Sequence, residues 1–320
     1  MSGFADNRDA TTEPAVPPPT ITTSYSIVFS SRRLPSRRAE HDLHAYGGGQ
    51  WAQTSFTTLQ QARHTAHVPH PYLDAPSPLA FAHRGGAAAG DENTAEAFDR
   101  AAKLGYRYVE TDVHATADGV PVVIHDETLD RVAGHPGRVA DLTWADLSTI
   151  RVGGAATVPR LDEVLAGWPE IRFNIELKSS PAVEPALRVV REAAAEDRVL
   201  LASFDDARLT RIRKLAGPRV ATSLGIRSLS FLWAASHTGV RVRLPESVVA
   251  AQIPVKHGPI TVLTPRFLTY LHRLGIAVHL WTIDDPQEMV RLLDLGVDGI
   301  MTDRIEVLRE VYAARGLWPS

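Results

Sequence analysis

The sequence lacks cysteine, long apolar runs and any strong excess of charge. Without cysteine the chain can form neither disulfides nor reactive thiolates. Its 34 Lys and Arg nearly balance 37 Asp and Glu, and the net charge of −3 leaves no general field that would favour nucleic acid. No apolar run approaches the roughly 20 residues that span a bilayer, and the N-terminus lacks the apolar core of a secretion signal. With 44% hydrophobic residues, the composition predicts a cytoplasmic protein with a large core.

The first 76 residues differ in kind from the rest of the chain. They are rich in Pro, Ser and Thr, carry a basic patch at residues 32–38, and show no regular hydrophobic periodicity. A segment of this composition buries too little apolar surface to form its own core. We therefore expect residues 1–76 to be a low-complexity tail, disordered or irregular, unless translation begins further along, near Val68.

From about residue 79 onward, short apolar runs alternate with amphipathic helical stretches. A run at 79–82 leads into His83, and the stretch 92–104 carries a helical stripe that ends at Gly105. Further strands are predicted at 108–114, 120–125, 172–178, 199–204, 220–224, 249–255, 277–283 and 299–302. Further helices are predicted at 161–168, 181–196, 206–215, 265–274 and 286–295.

This alternation of strands and helices predicts a parallel sheet covered by helices. Residues 77–320 come close to the ~250 residues of an eight-stranded β/α barrel. An open doubly wound sheet is the alternative, but no glycine-rich dinucleotide fingerprint follows the first strand. Nine strand candidates compete for eight places, and the pair around the turn Asp118-Gly119 is the expected source of the surplus. We therefore predict an α/β barrel over residues 77–320.

Two predicted strands carry pairs of charged residues at a spacing of two. Because side chains alternate between the faces of a strand, Glu110 and Asp112 share one face and converge on a point that suits a hard cation such as Mg²⁺ or Ca²⁺. Glu176 and Lys178 share a face in the same way, as a candidate third ligand and a cation for substrate oxygens. For either pair alone, a buried salt bridge is the alternative. Their joint occurrence favours a metal site.

Two histidines, His83 and His125, each end a predicted strand. His83 precedes Arg84-Gly85-Gly86, where glycines let the backbone turn sharply and let a substrate come close. Cleavage of a phosphodiester needs one group that takes a proton and another that gives one, and histidine titrates near neutrality. A single histidine at a strand end is more often structural. Two of them, beside carboxylates at other strand ends, favour an acid–base pair.

The order of these motifs resembles that of the glycerophosphodiester phosphodiesterase family. The matching segments are residues 83–85, 92–94, 110–113, 118–126, 176–178, 281–282 and 296–303. The resemblance covers about residues 79–311, the whole predicted barrel, and leaves the N-terminal tail unmatched. The resemblance implies a TIM (β/α)8 barrel of the phospholipase C-like phosphodiesterase type. It also implies metal-dependent hydrolysis of a small-molecule glycerophosphodiester to an alcohol and glycerol 3-phosphate.

The resemblance further implies a role for each of eight residues. It implies metal ligation by Glu110, Asp112 and Glu176, acid–base catalysis by His83 and His125, and substrate binding by Arg84, Lys178 and Trp281. The cofactor would be one divalent ion, Mg²⁺ or Ca²⁺. For Trp281 a place in the core is an equal alternative. Glu92 and Asn93 are expected to hold the first loop and helix, and Asp303 to hold Arg84 or Lys178.

The chain departs from the family pattern in two places. The usual proline before Glu-Asn-Thr is Asp91, which alters a loop. Only helix and loop signals lie between residues 126 and 172, so the inserted subdomain of some relatives is absent or reduced. A more open mouth would let lysophospholipids compete with small diesters. Residues 231–233, Phe-Leu-Trp, are a candidate membrane contact, but an outer barrel helix is favoured.

Several other activities remain as alternatives on such a barrel. One is a phospholipase D-like enzyme, and another is a phosphodiesterase that releases a cyclic phosphate. A catalytically silent barrel that binds headgroups belongs to a different class, and the presence of both histidines and all three carboxylates argues against it. An aldolase or isomerase barrel finds no Schiff-base setting at Lys178. The sequence does not indicate an oligomeric state.

Overall fold

The structure, a computed structural model, describes residues 27–28 and 70–318. The tail expected at residues 1–76 falls mostly outside these ranges, so its irregular character and the boundary at residue 76 stay predictions. Within the described part of that stretch, Pro71–Leu73 forms a short 3-10 helix and the Tyr72 side chain is buried. Its ring contacts the ring of Tyr108, the first residue of a barrel strand, edge-on at 5.5 Å between centroids.

The helices and strands of the described residues have the following bounds. The strands are β1 (Ile27–Val28), β2 (Leu79–His83), β3 (Tyr108–Ala115), β4 (Pro121–Val123), β5 (Arg151–Val152), β6 (Ala156–Thr157), β7 (Arg172–Leu177), β8 (Val199–Ala202), β9 (Ala221–Thr222), β10 (Arg241–Val242), β11 (Ala250–Ile253), β12 (Lys256–His257), β13 (Ile260–Thr261), β14 (Ala277–Leu280) and β15 (Gly299–Thr302). The α-helices are α1 (Ala95–Lys103), α2 (Asp130–Ala133), α3 (Trp144–Leu147), α4 (Leu161–Gly167), α5 (Val183–Glu192), α6 (Asp206–Ala216), α7 (Ile226–Ser236), α8 (Pro265–Arg273), α9 (Pro286–Leu295) and α10 (Ile305–Ala314). Three further 3-10 helices are Ala87–Ala89, Val139–Asp141 and Glu196–Arg198.

Eight parallel strands form the barrel in the order β11, β14, β15, β2, β3, β7, β8, β9. The circle closes between β9 and β11, where Thr222 and Val248 form a parallel bridge and the Val249 N–H donates to the Thr222 carbonyl. Spatial order follows chain order, as expected when each strand is joined to the next by a crossover. The predicted (β/α)8 barrel is confirmed.

The ninth strand candidate is β4, which lies outside the barrel. It pairs antiparallel with β3, from Val113 opposite Val123 to Ala115 opposite Pro121. Gly119 takes a φ of 77°, the left-handed conformation that a tight hairpin turn requires. The predicted turn at Asp118-Gly119 therefore accounts for the surplus, and the hairpin carries the chain back toward His125.

Alternation along the barrel strands separates two hydrophobic layers. Outward residues such as Val109, Phe173 and Ile175 are buried against the helices in the larger layer. Inward residues such as Phe81 and Leu200 fill the barrel itself, together with Tyr108 and Met301. Toward the carboxyl ends of the strands, inward polar side chains such as Glu110 and Glu176 replace the apolar ones. The site is therefore built on a filled barrel.

The segment between β4 and α4 folds around a small apolar cluster of its own. The buried members of that cluster are Val122, Ile124, Leu129, Val139, Leu147, Val152 and Val158. The segment contains α2, α3 and a hairpin of β5 and β6, in which Arg151 pairs with Thr157. The prediction of helices and loops alone is wrong for that hairpin. Strands of two residues are too short for alternation to be visible in a sequence.

Helix α7 includes the Phe-Leu-Trp segment and lies on the outside of the barrel, as favoured. Its Leu232 is buried in the outer layer, whereas Phe231 is exposed. Within the described residues, no helix combines the length and the apolar character needed to cross a membrane.

His279 is fully buried inside the barrel and gives a prediction about acid stability. Burial lowers its pKa to about 4, and neither ring nitrogen has a hydrogen-bond partner in the described part of the chain. The folded state therefore holds the neutral ring, whereas the unfolded chain binds a proton below pH 6.5. The contribution of His279 to the free energy of unfolding is fully present above pH 6.5. It decreases as the pH drops toward 4, by about 3 kcal/mol in all.

We expect His279→Leu to lose less stability than wild type between pH 7 and pH 4.5. Urea unfolding of both proteins at the two pH values measures the difference. His257 is exposed in β12, and His257→Leu is the matched control, which should follow wild type. An equal pH dependence in His279→Leu and wild type would show that His279 is not the acid-sensitive group.

Candidate active site

All eight sequence-predicted site residues line one cavity of about 130 Å³ at the carboxyl ends of the barrel strands. They are His83, Arg84, Glu110, Asp112, His125, Glu176, Lys178 and Trp281. In barrels of this type the strand ends and the loops that follow them form the active site. The position of the cavity therefore agrees with a catalytic role.

Three carboxylates meet on one side of this cavity. Asp112 in β3 and Glu176 in β7 are register partners, and oxygens of Glu110, Asp112 and Glu176 all lie within 4.8 Å of one another. Burial, followed by the charge of Asp112, raises the pKa of Glu110 to about 8; burial also raises the pKa of Glu176. These negative charges therefore destabilise one another unless a cation neutralises them. Three hard oxygen donors at this spacing fit a divalent ion.

Lys178 lies directly against the carboxylate cluster. Its Nζ is 3.3 Å from Asp112 Oδ1 and donates to Glu176 Oε2 at 3.2 Å. Burial alone would lower the pKa of Lys178, but the charges of Asp112 and Glu176 outweigh burial and raise it. The ammonium therefore stays protonated and presents a positive charge to the cavity.

Arg84 reaches the same cluster from the loop after β2. It has a φ of 53°, and Gly85 and Gly86 continue in the left-handed region with φ of 82° and 100°. A Cβ on Gly85 would lie 2.8 Å from the Ala97 Cβ, so the close contact with α1 requires glycine. The turn lets the Arg84 N–H donate to Glu110 Oε2 at 3.2 Å. The predicted sharp glycine turn is confirmed.

The Arg84 guanidinium is held between two carboxylates. Its Nη1 donates to Glu92 Oε1 at 2.9 Å, and its Nε is 3.4 Å from Asp112 Oδ2. The Nε has no hydrogen-bond partner within the described residues. The guanidinium thus brings its positive charge to the edge of the acidic cluster.

Each of the two predicted histidines bonds a carboxylate through Nδ1. His83 Nδ1 is 2.6 Å from Asp303 Oδ1, and His125 Nδ1 is 2.6 Å from Asp126 Oδ1. His83 Nε2 lies 3.7 Å from Glu110 Oε2. The prediction that Asp303 holds Arg84 or Lys178 is wrong. Its carboxylate instead bonds His83, the last residue of β2, which neighbours β15 in the closed barrel.

The loop before α1 ties Asp112 into place. Asn93 donates through Nδ2 to Asp112 Oδ2 at 3.0 Å and accepts from the Thr111 hydroxyl at 2.7 Å. Thr94 then begins α1 by accepting from the Ala97 N–H. This agrees with the loop-holding role expected of Asn93.

Asp91, the residue that replaces the usual proline, is bound by an arginine. It receives hydrogen bonds from Arg100 at 2.5 and 2.8 Å, and these bonds lower the pKa of Asp91. Arg100 also donates to the Gly86 carbonyl at 2.8 Å. The ion pair thereby connects α1 to the glycine turn after Arg84.

The other side of the cavity is less charged. Trp281 lines the cavity there, and the centroid of its ring lies 5.6 Å from that of the Phe204 ring. Asn174 and Gln252 also line the cavity, and Asn174 Oδ1 and Gln252 Nε2 lack hydrogen-bond partners in the described part of the chain. Buried polar atoms of this kind call for a ligand or water.

Sequence reasoning missed three of these lining residues. Phe204 ends a predicted strand and Asn174 shares a strand face with Glu176, so position alone could have indicated both. Gln252 belongs to no recognised motif, and nothing in the sequence marks it. His114, two residues after Asp112 in β3, has its Nε2 3.2 Å from the His125 carbonyl oxygen.

Comparison with known proteins agrees with this geometry. The model of the glycerophosphoryl diester phosphodiesterase family matches residues 83–307. The chain is 40% identical over 244 residues to the probable glycerophosphodiester phosphodiesterase 2 of Mycobacterium tuberculosis, covering 75% of this chain and 92% of that protein. It is 32% identical over 244 residues to a glycerophosphodiester phosphodiesterase of Caldanaerobacter subterraneus, covering 72% of this chain and 96% of that one.

A solved structure has the same fold. The crystal structure of a putative glycerophosphoryl diester phosphodiesterase from Silicibacter pomeroyi superposes with a TM-score of 0.63 at 27% identity, covering 77% of this chain and 97% of that one. Fold, site geometry and sequence comparison therefore agree. The chain belongs to the glycerophosphoryl diester phosphodiesterase family and is a phosphoric diester hydrolase.

Proposed function

We propose that this enzyme hydrolyses glycerophosphodiesters to an alcohol and glycerol 3-phosphate with the help of one divalent cation, Mg²⁺ or Ca²⁺. The observation that carries the proposal is the cluster of Glu110, Asp112 and Glu176, three carboxylates within 4.8 Å that share a cavity with two cationic side chains. An oxygen-only donor set favours these hard ions over softer metals.

The cation and the two cationic side chains around the cluster have separate roles in binding and activating the phosphate. When bound, the cation supplies Lewis acidity toward a phosphate oxygen. Lys178 and Arg84 place positive charge where negative charge grows during the reaction. We assign the Arg84 guanidinium, which lines the cavity, to a phosphate oxygen.

The histidines act as acid and base in this proposal. In each, the Nδ1–carboxylate bond sets the ring orientation and leaves Nε2 for proton transfer. We assign His125 as the base that takes a proton from water or from a substrate hydroxyl, because its side chain is 31% exposed against 14% for His83. His83 is then the acid that protonates the leaving oxygen.

The less charged side of the cavity suits the glycerol group. Trp281 and Phe204 offer ring surfaces for its carbon chain. Asn174 and Gln252 supply buried polar atoms that a hydroxyl would satisfy. A cavity of about 130 Å³ with these walls favours a small polar diester.

One observation favours a second candidate, a lysophospholipase D-like activity. Phe204 and Ile226 are 42% and 57% exposed, and the Ile226 N–H donates to the Phe204 carbonyl. Phe204 also lines the cavity, so this apolar pair lies beside its mouth. An acyl chain leaving the cavity would contact it.

A substrate screen with and without chelator tests the proposal. We expect turnover of glycerophosphocholine and glycerophosphoethanolamine, loss of turnover in EDTA, and recovery with Mg²⁺ or Ca²⁺. Phosphorus NMR should show linear glycerol 3-phosphate. A cyclic product, a preference for lysophosphatidylcholine, or headgroup binding without turnover would each replace the proposed reaction by one of the alternatives.

A further inference from the structure

Arg131 joins two parts of the site although it lies outside the cavity. It belongs to α2 in the segment between β4 and α4 (residues 124–160), which we call the inserted segment, and its side chain is 50% exposed. Its Nε donates to Asp126 at 2.6 Å, and Nη1 and Nη2 donate to the two Glu92 oxygens at 2.8 and 2.6 Å. An ion pair of a half-exposed arginine usually contributes little to the free energy of unfolding. Here each carboxylate that Arg131 binds also binds a residue lining the cavity.

On one side the contact leads to His125. Asp126 accepts from Arg131 through Oδ2 and bonds His125 Nδ1 through Oδ1. Burial alone would raise the pKa of Asp126, but the hydrogen bonds from Arg131 and His125 lower it to about 2. The carboxylate is thus ionised and held at both oxygens, which fixes the orientation of the imidazole.

On the other side the contact leads to Arg84. Glu92 accepts two hydrogen bonds from Arg131, and its Oε1 also accepts from Arg84 Nη1 at 2.9 Å. With Arg131 in place, Glu92 has one orientation in which both oxygens are used. That orientation sets the position of Nη1 and hence of the Nε that points toward Asp112.

Contacts within the inserted segment fix the backbone on both sides of Arg131. Leu129 is fully buried in the apolar cluster of the segment, and the Gly153 N–H from the β5–β6 hairpin donates to the Val132 carbonyl. Leu129 lies two positions before Arg131 and Val132 one position after it. The small core of the insert therefore fixes the backbone from which the guanidinium extends.

We propose that Arg131 is a positioning residue that aligns His125 and Arg84 with each other across two loops. The proposal rests on the proposed function, since it needs His125 as base and Arg84 as phosphate ligand. The planar guanidinium presents separate donors to two carboxylates in a rigid geometry, whereas a lysine offers one compact charge on a flexible stem. A lysine at position 131 should therefore not replace the arginine, although it keeps the charge. Because the loss affects the alignment of reacting groups, substitution of Arg131 should lower kcat more than it raises KM.

The test compares Arg131→Ala and Arg131→Lys with Arg138→Ala. Arg138 lies in the same segment and forms an exposed ion pair with Glu127, so it is a matched control for loss of a surface arginine. With glycerophosphocholine and saturating metal, we expect kcat to fall about 10–100-fold in both Arg131 variants. KM and thermal midpoints should stay close to those of wild type. Arg138→Ala should have the kcat of wild type.

Double-mutant cycles separate positioning from a general structural effect. Arg131→Ala combined with Asp126→Asn, or with Glu92→Gln, should cost less than the product of the single losses, because each single change already breaks the same connection. Multiplicative losses, or an Arg131→Ala enzyme as active as Arg138→Ala, would overturn the proposal.

A His125→Ala enzyme assayed alongside shows which proposal fails. If His125→Ala keeps the wild-type kcat, the proposed role of His125 as the base is wrong and the positioning role is lost with it. If His125→Ala is inactive while Arg131→Ala is fully active, the positioning role alone is wrong. If both lose activity and the cycles are non-additive, the positioning role is supported.

Discussion

His83→Ala and His125→Ala should each lower kcat for glycerophosphocholine by about 10²–10⁴-fold, because each removes a general acid or base from the reaction. The two rings are built alike, with Nδ1 on a carboxylate at 2.6 Å. Both replacements keep all three carboxylates of the proposed metal site. KM should therefore change far less than kcat, and steady-state kinetics measures both.

A substrate with a good leaving group distinguishes the two roles. Nitrophenolate leaves without protonation, so a nitrophenyl diester of glycerol phosphate does not need the acid. We expect this substrate to restore much of the rate of His83→Ala and little of the rate of His125→Ala. The opposite pattern would reverse the assignment of acid and base.

An exposed histidine provides the control for these variants. His257→Ala removes an imidazole from β12, and its activity should match that of wild type. If His83→Ala and His125→Ala both hydrolyse choline and ethanolamine glycerodiesters at wild-type rates, the two-histidine mechanism is wrong.

The residues that sequence reasoning placed correctly are those whose position depends on one strand, or on two barrel strands that follow each other in the chain. Two carboxylates at a spacing of two share a face on any strand, which is why Glu110 and Asp112 meet in the structure. Glu176 joins them because β7 neighbours β3 in the sheet, as consecutive barrel strands do. His83 and His125 needed only the ends of their strands to be located.

The contacts that were missed depend on how distant segments meet. Asp303 reaches His83 only because the last strand closes the circle beside the first, at a sequence separation of 220. Arg131 depends on the fold of an insert whose strands are two residues long. Local periodicity carries no information about either, since both follow from barrel closure and from packing within the insert.

Glu110→Gln should abolish most of the activity and also change how the protein responds to metal. The substitution removes one of three oxygen charges from the proposed metal site. Loss of a Lewis acid that stabilises the transition state by several kcal/mol corresponds to about 10²–10⁴-fold in kcat. Mg²⁺ or Ca²⁺ should raise the thermal midpoint of wild type, because a ligand that binds only the folded state stabilises it, and should raise that of Glu110→Gln much less.

The same variant should be more stable than wild type when metal is withheld at alkaline pH. Burial and the charge of Asp112 raise the pKa of Glu110 to about 8 in the fold, against 4.5 for the free side chain. In EDTA the wild-type protein should therefore lose stability as the pH rises from about 4.5 through 8, because folding must then bury a charged carboxylate. Gln has no charge to bury and should escape that loss.

Thermal unfolding in EDTA at pH 6 and pH 9 compares the two proteins directly. Glu127→Gln, which changes an exposed carboxylate in the inserted segment, is the control and should follow wild type. If Glu110→Gln and wild type lose equal stability between the two pH values and respond equally to added metal, the acidic cluster is no cation site. A gain in metal-free stability together with a loss of turnover would instead mean that this carboxylate is kept for catalysis at the expense of the fold.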